Sequence, residues 1–522
     1  MFLSKKQKFF KNTAVVSFFT MISRVFGYIR DAVIFIFISN ANGALDAFFV
    51  AFRIPNFFRR IFGEGALSTA YVPVLSDYKS TNNSNDVKEF INASITYLSI
   101  ILIVISIIGV IVTPVLIYLI APGFVHSEFG QYELSYELLR ITFPYMFFIC
   151  LTAVASSILN SYEKFSIPAL TPAILNISLI ISVLFFSPFF SEPVYALAWG
   201  LMIAGILQLL FVTHSLYRLK LYPKFCYNKN HPGIKKIKEL MLPVIFGSSV
   251  TQINLIFDTI IASFLITGSI SWLYMSDRFI ELPLALFGIS IATVLLPKLS
   301  EHYNKSDTKS YNSTINWGLK LGIIISIPAS IGLILLAKPI LITLLQYREF
   351  SENDVNMTAL SLMAFALGLP GMIGAKILIT NYYSRKNTKY PVKAALIAVI
   401  FNFILNISLV LYLLKINFEG VHAGLALATT ISAYINFYYL FKNAIKTKIL
   451  IINKSLLNVF LKSFLASIIM AILILNFDLN AKSWEELILF ERIRDLLLII
   501  FSSSILYFII LYMLKVSPKN IK

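Results

Sequence analysis

The chain is built from long apolar runs separated by short polar ones. Fourteen runs reach the length, about 20 residues, that a helix needs to cross about 30 Å of hydrocarbon. They fall at 13–38, 44–72, 90–120, 134–159, 167–188, 194–216, 240–266, 269–297, 317–343, 355–382, 391–414, 420–441, 455–477 and 494–514. No segment between them is long enough for an additional folded domain. The pattern predicts an all-α polytopic membrane protein with fourteen transmembrane helices. Lys5-Lys6-Gln7-Lys8 resembles the start of a secretory leader. Arg24 and Arg30 interrupt the following apolar stretch and no small-residue cleavage site follows, so the segment reads as a retained first helix.

Internal similarity divides the runs. Gly43-Ala-Leu-Asp46 followed by Arg53 matches Gly268-Ser-Ile-Ser271 followed by Arg278 at an offset of 225, and Phe62-Gly63 matches Phe287-Gly288 at the same offset. Pro73-Val-Leu-Ser76 matches Pro297-Lys-Leu-Ser300 at 224, and Ser161 and Pro168 match Ser384 and Pro391 at 223. Matches at a near-constant offset on equivalent runs predict a repeat of six helices. Six is even, so both halves enter from the same side and are related by an axis along the membrane normal, with substrate expected between them near midplane. The expected division is residues 1–220, 221–450 and, outside the repeat, 451–522.

Composition agrees with this reading. Hydrophobic residues make up 58% and charged residues 13%, with a mean hydropathy of +0.79, which excludes a soluble enzyme and a disordered chain. The net charge of +18 would suggest nucleic acid in a soluble protein. Here the predicted loops on the side of the termini hold 28 Lys and Arg against five opposite. That asymmetry places both termini in the cytoplasm, and no nucleic acid is needed to explain the charge.

The charges inside the spans carry the chemistry, because each costs roughly 2.5–3.5 kcal/mol at the bilayer centre on insertion scales. In the first helix Ser23, Arg24, Gly27, Arg30 and Asp31 share one face at about 100° per residue. Asp46, Arg53 and Arg60 recur every seven residues in the second, with Asn56, Arg59 and Glu64 beside them. Asp277, Arg278 and Glu281 stand at the repeat-equivalent place in the eighth, and Lys376 is alone in the tenth. Arg59 and Arg60 also suit snorkelling to headgroups. Arg24, Arg30, Arg53 and Arg278 suit bidentate contact with phosphate or carboxylate oxygens. These residues point to a transporter of a large anionic, phosphorylated substrate.

With these residues in view the chain resembles the MurJ (MviN) family of lipid II flippases. The resemblance rests on Ser23-Arg24-Val-Phe-Gly27-Tyr-Ile-Arg30-Asp31, on Asp46 through Arg60 with Arg53-Ile-Pro55-Asn56, and on Glu64-Gly65-Ala66. Phe165-Ser-Ile-Pro168, Ser276-Asp277-Arg278-Phe-Ile-Glu281-Leu-Pro283 and His422-Ala-Gly424 extend it across the first twelve helices. It implies the fold of the multidrug/oligosaccharidyl-lipid/polysaccharide exporter superfamily, two six-helix lobes around a cavity, with the last two helices forming a groove for an isoprenoid tail. The implied substrate is lipid II, undecaprenyl-pyrophosphoryl disaccharide pentapeptide, flipped from the inner to the outer leaflet of the bacterial inner membrane for peptidoglycan synthesis. Arg24, Arg30, Arg53 and Arg278 match the family's substrate-binding or required arginines, and Asp31, Asp46 and Glu64 match its motif. The resemblance also implies a sodium ion as coupling ion, with Asp258, Asn402, Asn406 and Thr429 or Thr430 as ligands, and no other cofactor. The implied partners are membrane lipids and the cell-wall synthesis machinery, for a protein acting as a monomer.

Two other readings stay open at this point. An exporter of another polyprenyl-linked oligosaccharide or of a drug would share the fold. A polyprenyl-phosphate-handling enzyme would need a catalytic cluster, whereas His126, His214, His231, His302 and His422 are scattered.

Overall fold

Lipid offers a peptide group no hydrogen-bond partner, so a chain this apolar satisfies its backbone within helices. In the computed structural model, which describes residues 5–61, 67–81, 83–447, 450–451 and 454–516, every regular element among those residues is helical. Nine helices are long and apolar enough to span a bilayer among the described residues, or ten if the pair Glu352–Ala366 and Leu369–Tyr383, bent by 42°, forms one span. The lipid-facing character is visible in side chains such as Ile107, Ile111, Phe501 and Tyr512, large, apolar and more than half exposed. Apolar surface so extensive is not stable in water.

The chain folds as two compact units, Met1–Gly268 and Ser269–Lys522. The first holds α1 (Lys5–Phe37), α2 (Ala44–Phe58), α3 (Leu67–Thr81), α4 (Ser84–Ile111), α5 (Thr113–Ile120), α6 (Gln131–Thr142), α7 (Tyr145–Ser161), α8 (Ser166–Ile181), α9 (Tyr195–Arg218) and α10 (Pro232–Ala262). α8 packs between α1 and α9, and α2 lies along α6. α10 packs on α3, α4 and α5 within this unit.

The second unit holds α11 (Ser269–Pro283), α12 (Ser290–Asn304), α13 (Thr308–Leu335), α14 (Ala337–Leu345), α15 (Glu352–Ala366), α16 (Leu369–Tyr383), α17 (Lys389–Lys415), α18 (Ala423–Lys446), α19 (Lys454–Leu475), α20 (Ala481–Glu486) and α21 (Leu489–Met513). α16 and α17 pack on α18, and α11 lies along α15. The last two long helices are anchored by one buried hydroxyl. Tyr507 on α21 meets Ser463 Oγ on α19 at 2.7 Å and donates to the Ile324 carbonyl on α13 at 2.7 Å.

The internal repeat has a local structural counterpart in each unit. α4 and α13 are both 28 residues long. Pro73 lies inside α3 and Pro297 inside α12. A π-helical turn follows α2 at 59–61 and α11 at Leu284–Ile289. Left-handed residues also recur: Gly43 (φ 70°) before α2 and Gly268 (φ 99°) before α11, Glu163 (φ 59°) after α7 and Lys386 (φ 57°) after α16. Gly43 is doubly constrained, since a Cβ there would lie 1.8 Å from Gln131 Nε2.

Candidate functional site

In the first unit, the polar stripe of α1 folds inward at its C-terminal half. Arg30 is 7% and Asp31 2% exposed. Arg30 donates from Nε (2.9 Å) and Nη2 (2.5 Å) to Asp31 Oδ1. Its Nη1 donates to Asn176 Oδ1 on α8 at 3.1 Å, and Asn176 Nδ2 donates back to the Ser23 carbonyl at 3.0 Å. Gly27 faces the same amide, at a distance where a Cβ would make ordinary contact, 3.6 Å from Asn176 Nδ2. A buried guanidinium is tolerated only when its charge and its donors are matched, and this one is held by a carboxylate and an amide. Arg24, one turn and a half earlier, is exposed.

Asp46 is buried at the start of α2. It is 2% exposed, and its Oδ2 accepts from the Gly268 amide at 2.7 Å. Asn40 accepts from the amides of Leu45 and Asp46 at 3.0 and 3.3 Å, and its Nδ2 reaches Asp46 Oδ1 at 3.4 Å. This carboxylate therefore ties the start of α2 to the end of the unit. Arg53 is half-buried on α2. Arg59 donates from Nε and Nη2 to Asn56 Oδ1 at 3.1 and 2.9 Å. Glu64 lies outside the described residues.

In the second unit Arg278 stands on α11. Its Nη1 donates to Glu281 Oε2 at 2.7 Å and its Nη2 to the Tyr274 hydroxyl at 2.9 Å, with the guanidinium carbon 4.9 Å from the Tyr274 ring centre. The guanidinium is partly exposed, and Asp277 beside it is exposed. The opposite face of α11 is bolted down. Ser276 Oγ meets Ser361 Oγ at 2.6 Å and donates to the Thr358 carbonyl at 3.0 Å, and Trp272 Nε1 donates to Asp354 Oδ1 at 2.7 Å. Lys376 on α16 is exposed.

The residues considered for a cation divide between the units. Asp258 on α10 accepts from Asn254 Nδ2 at 3.4 Å. On α17, Asn406 and Asn402 are buried, and Asn406 Nδ2 donates to Asn402 Oδ1 at 2.9 Å. Asn402 in turn donates to Thr429 Oγ1 at 3.2 Å, whereas Thr430 donates to the Ala364 carbonyl at 2.7 Å. Amide oxygens and a hydroxyl form a donor set that suits a hard monovalent cation. The described residues contain no group of three or more His, Cys, Asp or Glu fit for a metal ion.

Two residues of these clusters, Asn176 and Tyr274, have no motif that marks them in advance. Asn176 carries a weak signal, an amide in the middle of an apolar run. These contacts fix the orientation of two guanidiniums, Arg30 by Asp31 and Asn176 and Arg278 by Glu281 and Tyr274.

Comparison with known proteins gives one consistent result. A model of the family described as "Lipid II flippase MurJ" matches residues 38–493. The probable lipid II flippase MurJ of Buchnera aphidicola subsp. Schizaphis graminum is 37% identical over 519 residues, 98% of each chain. That of Vibrio cholerae is 39% identical over 442 residues, 84% of this chain and 83% of its own. A solved structure of lipid II flippase MurJ in an inward closed conformation superimposes with a TM-score of 0.78 at 31% identity, covering 95% of this chain and 98% of that one. An inward-facing multidrug MATE transporter of the MOP superfamily shares the fold alone, with a TM-score of 0.65 at 14% identity over 83% of this chain and 98% of its own.

Proposed function

The chain belongs to the lipid II flippase MurJ family, and from that premise we propose how this lipid II flippase, a transporter and not an enzyme, handles its substrate. Arg24, Arg30, Arg53 and Arg278 take the pyrophosphate of lipid II. The isoprenoid tail stays in lipid, along a groove formed by α19 and α21. Only the headgroup crosses, from the cytoplasmic to the outer leaflet of the inner membrane, as two six-helix lobes alternate in access. Fourteen spans with both termini in the cytoplasm complete this topology, supported by the Lys and Arg asymmetry of the loops.

The observation that carries the reading is the mounting of Arg30. A charge that is costly inside a bilayer is kept, matched by Asp31 and Asn176, and oriented by three hydrogen bonds. A guanidinium is always protonated and presents a rigid fork to phosphate oxygens, so fixing its orientation lowers the entropic cost of capturing a diphosphate. Arg278 is oriented by Glu281 and Tyr274 in the same manner. Asp31, Asp46, Asn56, Arg59, Glu64, Asp277 and Glu281 complete the proposed substrate-binding set.

Sodium belongs to the same reading as coupling ion. Asn402, Asn406 and the Thr429–Thr430 pair offer hard neutral oxygens, and Asp258 is the carboxylate that the family resemblance adds. When bound, the ion contributes fixed positive charge. The membrane potential acts on any charge that moves during the cycle. Reconstitution into vesicles with labelled lipid II tests the proposal. Arg30→Ala and Arg278→Ala are expected to insert and fold yet to abolish flipping, and full activity in both would overturn the assignment.

A further inference from the structure

The first unit carries a second basic site away from these arginines. Where α4 begins and the segment after α9 doubles back, a cavity of about 240 Å³ is lined by Lys88, Asn92, Lys220, Tyr222 and Lys224, and no carboxylate is among its lining residues. Three lysines lining one small cavity leave a local excess of positive charge, which an anion would offset.

The cavity is built by fixed backbone. α9 ends with Leu221 N donating to the Leu216 carbonyl (3.0 Å) and Lys220 N to Tyr217 (2.9 Å), a closure that places Lys220 at φ 57°. Glycine is the usual residue in that left-handed position; here a lysine occupies it and lines the cavity. The following segment is then pinned to α4. The Lys224 amide donates to Asn92 Oδ1 at 2.8 Å, and the Cys226 amide to Thr96 Oγ1 at 3.0 Å. Around the cavity, aromatic side chains alternate with the lysines and point outward: Tyr217, Tyr222, Phe225 and Tyr227 are 57–83% exposed. Exposed rings interleaved with lysines suit the headgroup layer of a bilayer, where amphipathic rings sit at the water boundary.

We infer that Lys88, Lys220 and Lys224 form a seat for the phosphate of an anionic membrane phospholipid, with the neighbouring rings resting in the headgroup layer. Charge complementarity selects the anionic headgroup, and the exposed rings select a lipid over a soluble phosphate. The seat goes beyond the flipping reaction, and its binding is read without measuring flipping.

The test uses the full chain in phosphatidylcholine nanodiscs carrying traces of spin-labelled phosphatidylglycerol, with protein-bound and bulk lipid separated by electron spin resonance. A charge-assisted hydrogen bond to the lipid phosphate contributes at least about fivefold in affinity, so replacing all three lysines with Gln should weaken phosphatidylglycerol association on the order of a hundredfold. A charge-matched control with Lys229, Lys235 and Lys236 changed to Gln should leave most of the preference intact. Lys220→Gly removes one charge while suiting the left-handed backbone, so about a fivefold loss is expected even if the triple variant misfolds. Unchanged association in the triple and Gly variants overturns the seat. Equal loss in the control would assign the effect to diffuse surface charge, and displacement by excess inorganic phosphate would assign it to a soluble anion; both overturn it.

Discussion

Asn176→Ala probes the mounting of Arg30 without touching a charge. The change removes the 3.1 Å bond from Arg30 Nη1 and the 3.0 Å bond to the Ser23 carbonyl. A hydrogen bond to a charged group contributes about 1.5–3 kcal/mol and a neutral one about 0.5–1.5 kcal/mol, so the loss totals roughly 2–4 kcal/mol. Asp31→Ala goes further, about 3–5 kcal/mol, because it removes a carboxylate paired with a buried guanidinium. The two losses should not add in the double variant, since both partners hold the same group. Melting in detergent reports the stability component, and the initial rate of lipid II flipping in vesicles reports the orienting component. If about 1.4 kcal/mol of the loss falls on Arg30 orientation, Asn176→Ala flips about tenfold more slowly. Wild-type melting together with a wild-type flipping rate in Asn176→Ala would refute the argument that this amide positions the arginine.

Two further outcomes follow from other parts of the fold. Gly43→Ala should lower the melting temperature and the yield of inserted protein, because φ is 70° and the added Cβ would meet Gln131 Nε2 at 1.8 Å; the strained backbone alone costs about 1–3 kcal/mol. His231 caps α10, its Nδ1 accepting from the Gly233 amide at 3.2 Å beside the stacked rings of Tyr78 and Phe90. Burial holds its pKa below the usual 6.5. The unfolded chain therefore takes up a proton first, and the stability present above 6.5 is lost as pH falls below that value toward the folded pKa. Melting compared at pH 7.5 and 5.5 should show a larger loss in wild type than in His231→Asn, which keeps a capping side chain but does not titrate.

Much of the site was legible because charges in an apolar run stand out. Arg30, Asp31 and Arg278 are visible as single residues that insertion energetics would otherwise remove. Asn176 and Tyr274 are not, since an amide or a phenol inside a helix costs far less and occurs for many reasons. For Asp46 the spacing shows its grouping with Arg53 and Arg60, and only the fold shows that its carboxylate also accepts from the Gly268 amide. Thr429 and Thr430 differ by one residue and about 100° of helix, and only the structure shows that Thr429 meets Asn402 while Thr430 turns to Ala364.

The apolar runs, the loop charges and the repeat are local quantities, summed along the chain, and the apolar runs determine that the protein is an all-helical membrane protein. Left-handed Gly43 and Gly268 and the two helices of 28 residues, α4 and α13, belong to the same class, because backbone sterics and short-range pattern decide them. Which partners meet was decided by tertiary structure alone. The Arg30–Asn176 contact spans 146 residues and the Tyr507–Ile324 contact 183. Such pairings depend on how helices rotate and dock, and a helix rotated by one residue presents a different face. The placement of α10 against α3, α4 and α5 is likewise a matter of packing. The apolar surfaces of α10 can be buried against more than one neighbour, and the sequence pattern is the same for each.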